Sequence, residues 1–188
     1  MTEPAATDSK AAWRRWARAQ HHHEVTASVA AGILDHARRF LEALEPTTVA
    51  LFSSMPGEIS VDDLADISVH RFAITRTPPA GWLSVHAWDA PRERHRYGFT
   101  QPVAGAPQIP LSDVGCVLVP ALAFDRDGFR LGRGAGYYDE LFARMGEQPI
   151  RIGVVAGSLV VERLPRDPHD IPMHLLITED GTIATSSG

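Results

Sequence analysis

The stretch from Val114 to Met145 constrains the chain more than any other. It begins with Val114-Gly115-Cys116-Val117-Leu118-Val119-Pro120, an apolar, β-branched run stopped by a proline, which is the pattern of a buried central strand. It ends with Tyr137 to Met145, where Tyr138, Leu141, Phe142 and Met145 recur at three- and four-residue spacing along one face of a helix. Between strand and helix lies Gly132-Arg133-Gly134-Ala135-Gly136. Alternate glycines let the backbone adopt positive φ and come close to a ligand. The helix N-terminus behind them offers unpaired N–H groups and a partial positive charge, which suit an anion such as phosphate. Arg130 and Arg133 add fixed cations, and Asp139 places a carboxylate in the first turn. An ordinary strand-to-helix turn could carry the same glycines, and the spacing matches neither G-x-x-x-x-G-K-[ST] nor G-x-G-x-x-G.

A chain of 188 residues is the length of one domain and can bury a sizeable core. Its net charge of −5 gives no overall electrostatic case for nucleic acid or membrane, so an anionic ligand would need a local cationic cluster. The single Cys116 sits in the apolar strand and cannot form an internal disulfide, which is compatible with a reducing compartment. There is no apolar leader and no run of membrane-spanning length, so the expected location is the cytoplasm.

Residues 1–8 are expected to be a disordered lead, and residues 9–188 a single α/β domain. Ser9 can cap a helix whose Trp13, Trp16 and Ala17 form a buried stripe. Lys10, Arg14 and Arg18 lie in one row four residues apart, a solvated basic face or a surface that meets an anion. His21, His22 and His23 point in different directions on a helix or strand and so read as a helix-end or loop cluster rather than a metal site. Val25 to Leu44 reads as a long helix stopped by Pro46, and 47–52 as a short buried strand. Glu58 lies in the turn that follows, just past a strand end where open α/β sheets bind ligands, although a solvated turn residue would look the same. Ser60 is placed to cap a short helix over Val61 to Ile67. Arg71–Thr75 and Trp82–Trp88 read as a hairpin around the 77–81 turn, and 89–96 as a loop. Tyr97 and Phe99 are either ligand-stacking aromatics or a plug packing a loop onto the core. Ile150 to Ala156 and Leu175 to Thr178 complete the strands, with His169-Asp170 in the loop between them.

Arg-Leu-Gly-Arg-Gly-Ala-Gly-Tyr-Tyr-Asp at 130–139, together with Phe124-Asp125 and Gly128, resembles the signature of the 5-formyltetrahydrofolate cyclo-ligase (methenyltetrahydrofolate synthetase) family. The resemblance runs from Lys10 to Asp180, and Lys10-Ala11-Ala12-Trp13-Arg14 is similar to the family's N-terminal Lys-x-x-Leu-Arg motif. It implies a three-layer αβα sandwich around a mainly parallel sheet, with an antiparallel hairpin. It also implies a ligase that uses ATP and Mg²⁺ to cyclise 5-formyltetrahydrofolate to 5,10-methenyltetrahydrofolate, releasing ADP and phosphate. In that reading Lys10, Arg14, Arg130, Gly132, Arg133, Gly134, Ala135, Gly136, Tyr137, Tyr138 and Asp139 bind ATP, with Arg133 and Lys10 catalytic. Glu58, Met55, Tyr97, Phe99 and Tyr137 hold the folate, and Asp139 and Asp170 hold Mg²⁺. The implied partners are a reduced folate and ATP, taken up by a monomer. Two positions depart from the family pattern, Val61 in place of Thr and His174 in place of a second Asp. A non-catalytic folate- or nucleotide-binding relative, or an α/β protein binding a sugar phosphate, are the alternatives.

Overall fold

The computed structural model describes residues 2–79 and 81–186. Met1 of the expected lead, Ala80 of the expected hairpin turn, Ser187, Gly188 and the side chain of His22 lie outside the described residues. The helices are α1 (Lys10–Glu24), α2 (Ala27–Ala43) and α3 (Tyr137–Met145). The strands are β1 (Thr48–Leu51), β2 (Arg71–Arg76), β3 (Ser84–Ala87), β4 (Arg92–Arg94), β5 (Thr100–Pro102) and β6 (Val114–Pro120). They continue with β7 (Ala123–Asp125), β8 (Arg130–Leu131), β9 (Ile150–Val154), β10 (Val160–Val161), β11 (Leu175–Thr178) and β12 (Gly181–Ala184).

The seven-stranded main sheet runs β12-β11-β9-β6-β1-β2-β3, with β6 at its centre as its apolar sequence requires. The strands from β11 to β2 are parallel, and β12 and β3 close the edges antiparallel. Period-two alternation along β6 sends Val117 and Val119 to one core and Cys116 and Leu118 to the other. On the first face α1 supplies Trp13, Trp16 and Ala17, and α3 supplies Leu141, Phe142 and Met145. On the second, α2 supplies Ile33, Ala37 and Leu41. These are the three layers of an αβα sandwich. Full burial of a side chain as large as Trp13 contributes about 1.5–3 kcal/mol, which fixes α1 to the sheet against its row of like charges. No helix among the described residues is long and apolar enough to cross a membrane.

The caps follow the sequence. Ser9 Oγ accepts from the Ala12 N–H, and Thr26 caps α2 by accepting from Val29, so α2 begins two residues later than its apolar pattern alone implies. The lead makes a turn in which the Asp8 N–H donates to Ala5 O, and the Trp13 indole N–H donates to that same carbonyl. The expected short helix after Ser60 is a 3₁₀ turn over Asp62–Asp66, whose first N–H, that of Asp62, donates to Ser60 Oγ at 3.4 Å. The expected loop at 89–96 contains β4, which pairs with β5 in a separate ribbon.

The largest departure lies directly after β6. The chain does not pass straight into the glycine loop but first forms the β7–β8 hairpin, which joins β10 in a small second sheet. Phe124 of this hairpin is fully buried, and it lies where a side chain on Gly153 of β9 would project, 2.6 Å from a Cβ placed there. Glycine at 153 therefore lets the small sheet rest on the large one.

Two predictions follow from this packing. Gly153→Ala forces Phe124 and Leu176 apart and should destabilise the fold by about 1–3 kcal/mol, read as a lower urea midpoint with an unchanged denaturant slope. The second concerns pH. His86 is buried, donating from Nδ1 to Pro107 O and accepting at Nε2 from the Ser84 hydroxyl, and desolvation holds its pKa below the ordinary histidine value. His174 is likewise lowered, by desolvation and then by the Arg151 charge. The unfolded chain therefore protonates first. The stability contribution is complete above about pH 6.5 and is lost as the pH falls toward the folded values. Urea midpoints should drop as the pH falls below about 6.5, and His86→Gln should flatten the decline.

Candidate active site

Glu58 is held by its own turn. Its N–H donates to Met55 O, and its Oε2 accepts from the Met55 N–H, both at 2.9 Å. That turn lies just beyond the end of β1, so the parallel sheet places a largely buried carboxylate at a strand's carboxyl edge. The 95–99 turn packs beside it, since a Cβ on Gly98 would lie 3.2 Å from Pro56. Phe99 is half-buried under a stacked His95, with centroids 4.4 Å apart, while Tyr97 is exposed. Tyr138 brings its phenol to Thr75 at the end of β2, and burial pushes its pKa up.

The glycine loop reaches this turn through Arg133. Its Nε and Nη2 donate to Glu58 Oε1 at 3.2 and 2.6 Å. Arg133, Gly134, Ala135 and Gly136 are all exposed, and their backbone N–H groups donate to no acceptor among the described residues. Gly134 and Gly136 have φ of 114° and 71°, so only glycine shapes the loop without strain. Gly136 ends the loop as the N-cap of α3 without a capping side chain, leaving that helix terminus open to an anion.

Helix α1 closes the other side. Arg14 Nε donates to Gly132 O at 2.9 Å, and its guanidinium carbon lies 3.4 Å from where a Gly134 Cβ would stand. Lys10 Nζ donates to Asp167 Oδ2 at 2.7 Å and to Asp170 Oδ2 at 2.6 Å. Burial works against the Lys10 charge, but these two hydrogen bonds outweigh it and hold the pKa above the ordinary lysine value. The same contact lowers Asp167. The first and fifth positions of one helix, 10 and 14, thus meet two different walls of the site, and the basic row is more than a solvated face at those two residues.

Arg130 is placed differently from the loop cations. Its side chain is 6 % exposed and ion-paired with Asp139, with Nη1 donating to Ile171 O at 2.7 Å. The Ile171 N–H in turn donates to Asp139 Oδ1 at 3.0 Å. Asp139 therefore touches the residue next to Asp170, and the two carboxylates expected at a metal lie against one loop. Asp167, His169 and Asp170 present donor atoms within 4.8 Å of one another. Carboxylate oxygens are the donors that Mg²⁺ takes, and Lys10 already shows this corner holding a cation.

Tyr137 and Tyr138 are half-buried against the α1 side of the core, and Met55 is half-buried beside Glu58. Asp167 was not anticipated, though its place three residues before Asp170 in Asp-Pro-His-Asp was a usable signal. Val61 is fully buried in the α2-facing core, so the family's hydroxyl is replaced there by apolar packing. The His174 ring nitrogens face the Arg151 backbone N–H and guanidinium, tying β9 to the start of β11. Cys116 is buried, and desolvation pushes its thiol to about 12, which leaves it inert.

Chemically, the arrangement sets exposed backbone N–H groups and guanidinium groups, which suit an anion, beside a carboxylate, which suits N–H donors. Residues 8–179 match the 5-formyltetrahydrofolate cyclo-ligase family. The chain is 31 % identical over 185 residues to a 5-formyltetrahydrofolate cyclo-ligase of Mycolicibacterium smegmatis, covering 90 % of this chain and 94 % of that one. A Haemophilus influenzae protein of the same name is 26 % identical over 150 residues, covering 75 % of this chain and 80 % of that one. The fold is similar to the NMR structure of Aquifex aeolicus 5,10-methenyltetrahydrofolate synthetase, with a TM-score of 0.77, 26 % identity and coverage of 95 % of this chain and 94 % of that one. With the fold, the glycine loop and the matched span in agreement, the chain belongs to the 5-formyltetrahydrofolate cyclo-ligase family.

Proposed function

We propose that the protein cyclises 5-formyltetrahydrofolate to 5,10-methenyltetrahydrofolate at the expense of ATP, releasing ADP and phosphate. The observation that carries this reading is the contact of Arg133 with Glu58, because it joins a phosphate receptor to an anchor for a pteridine. The chemical obstacle is that the N5-formyl oxygen is a poor leaving group. Phosphoryl transfer to that oxygen removes the obstacle, N10 closes the five-membered ring on the formyl carbon, and phosphate leaves.

Such a transfer needs positioning and neutralisation of charge on the phosphoryl oxygens more than covalent help from the protein. The open N–H groups of residues 133–136, with Arg133, Arg14 and Lys10, supply both. Arg130 acts one step behind them, bracing Asp139 and the 171 carbonyl. Asp170 and Asp139 would hold Mg²⁺, which when bound neutralises phosphate charge. Glu58 would accept from the pteridine N–H groups, with Met55, Tyr137 and the 97–99 aromatics around it. Every group invoked comes from one chain, so the reading needs no second copy. A cytoplasmic setting goes with it, as one buried thiol requires no oxidising compartment.

Incubation with 5-formyltetrahydrofolate and Mg-ATP should develop the methenyl absorbance, with ADP formed in equal amount. Binding of both substrates without product would overturn the reading. Lys10→Ala should weaken ATP binding and leave the folate affinity unchanged. Arg133→Ala should lower kcat about a hundredfold, and because it strips Glu58 of its partner it should also shift folate affinity modestly. Glu58→Gln should weaken folate binding by about 10- to 100-fold, the worth of a charge-assisted hydrogen bond. Titration calorimetry with each substrate separates these effects, and a common loss of stability in all three variants would contradict the site assignment.

A further inference from the structure

We propose that Asp125 is a positioning residue for the nucleotide half of this site, acting through the loop that carries Asp167, Asp170 and Ile171. The inference rests on the functional reading above but assigns a role to a residue that reading does not use.

The Asp125 side chain has no exposed surface, yet its carboxylate accepts from five donors. Oδ1 takes the N–H groups of Asp127 and Phe129 at 3.1 and 2.9 Å, which shapes the turn between β7 and β8. Oδ2 takes the Leu164 N–H at 3.1 Å and Arg166 Nη2 at 2.9 Å and Nε at 3.3 Å. One oxygen thus organises the hairpin that leads into Arg130 and the glycine loop. The other fixes the start of a segment 39 to 41 positions further along the chain.

What that segment does next gives the contact its direction. Directly after Arg166 come Asp167 and Asp170, the two carboxylates on Lys10, and then Ile171, whose N–H meets Asp139 and whose carbonyl meets Arg130. Both walls of the corner where α1 meets the glycine hairpin are therefore referred to one buried carboxylate. Burying a charge this deeply is costly, and apolar packing could hold two loops together without that cost. A carboxylate adds fixed direction, with Arg166 oriented at its far end over the Phe129 ring, 4.0 Å from the centroid. The folate side, Glu58 and the 95–99 turn, makes no hydrogen bond to Asp125, Arg166 or residues 164–171 among the described residues, and meets the glycine loop through Arg133 on Glu58.

The test is steady-state kinetics of Asp125→Asn, with ATP and 5-formyltetrahydrofolate varied separately. The amide keeps an acceptor for the Asp127 and Phe129 N–H groups but removes the buried one of the two carboxylate charges facing Arg166, leaving that of Asp127. The KM for ATP should rise about tenfold, as for other partners that orient a primary ligand, while the KM for the folate stays unchanged. Arg166→Gln leaves the Asp127 and Phe129 N–H bonds to Asp125 in place, though it loses the Arg166 contacts with the Asp127 carboxylate and the Phe129 ring, and it should show the same one-sided rise, smaller in size. Equal change in both KM values, or a loss of stability with neither KM altered, makes Asp125 merely structural and overturns the proposal. If Asp125→Asn does not fold, an unchanged ATP KM in Arg166→Gln overturns it alone. A wild-type enzyme that turns over but shows no split in the variants defeats this inference only, whereas a wild type without turnover defeats the functional reading as well.

Discussion

Arg133 and Glu58 stand 75 positions apart in the chain, and their contact is the one on which the site depends. One residue belongs to a glycine loop whose open N–H groups suit an anion, the other to a turn at a strand end. Their charges meet at 2.6 Å at a surface where Arg133 is still 41 % exposed. An exposed pair of this kind is worth little in stability. Its significance is positional, since in the proposed reaction it marks the place where a phosphoryl group and a pteridine would meet. The same arrangement recurs around the site, with Lys10 on Asp167 and Asp170 and Arg130 on Asp139. Fixed charges of both signs are held in place by one another, so under the proposed function a nucleotide and a cation would enter a region already organised for charge.

The fold supplies rigidity to two turns and one helix. β6 buries side chains on both faces, and the strands on either side of it carry the Glu58 turn and the support beneath Phe124. The small β7–β8 sheet lies over Gly153 and leads into the glycine loop, which meets the first turns of α1 through Arg14 and the Glu58 turn through Arg133. Helix α1 is bound to the sheet by two tryptophans packed edge to face, with ring centres 5.5 Å apart. That anchoring allows Lys10 and Arg14 to be presented as a pair at fixed spacing.

Much of this was legible in the residues. The central strand, the face of α3, the position of Glu58 past β1 and the cationic row of α1 each follow from periodicity or from a strand end. The three-layer fold and the family came from the 130–139 signature and were matched by the comparisons. What escaped has a common cause. β7, β8, β4 and β5 are two or three residues long, too short for a period of two to register, and they exist through pairing rather than propensity. β12 completes the sheet edge through its pairing with β11 and carries an exposed Thr182. Asp167 and the ties of Asp125 to Leu164 and Arg166 depend on contacts across tens to more than a hundred positions, which no local pattern encodes. Arg130 and Arg133, three residues apart in one motif, read alike in sequence and differ in space, one buried as a brace and the other reaching outward.

The most direct test of the account is a crystal structure of the protein with Mg-ADP. The account predicts phosphate oxygens on the N–H groups of residues 133–136, with Arg133 and Lys10 turned onto them and Arg14 still bonded to the 132 carbonyl. A nucleotide bound elsewhere, with the glycine loop vacant and Arg133 still seated on Glu58, would contradict it.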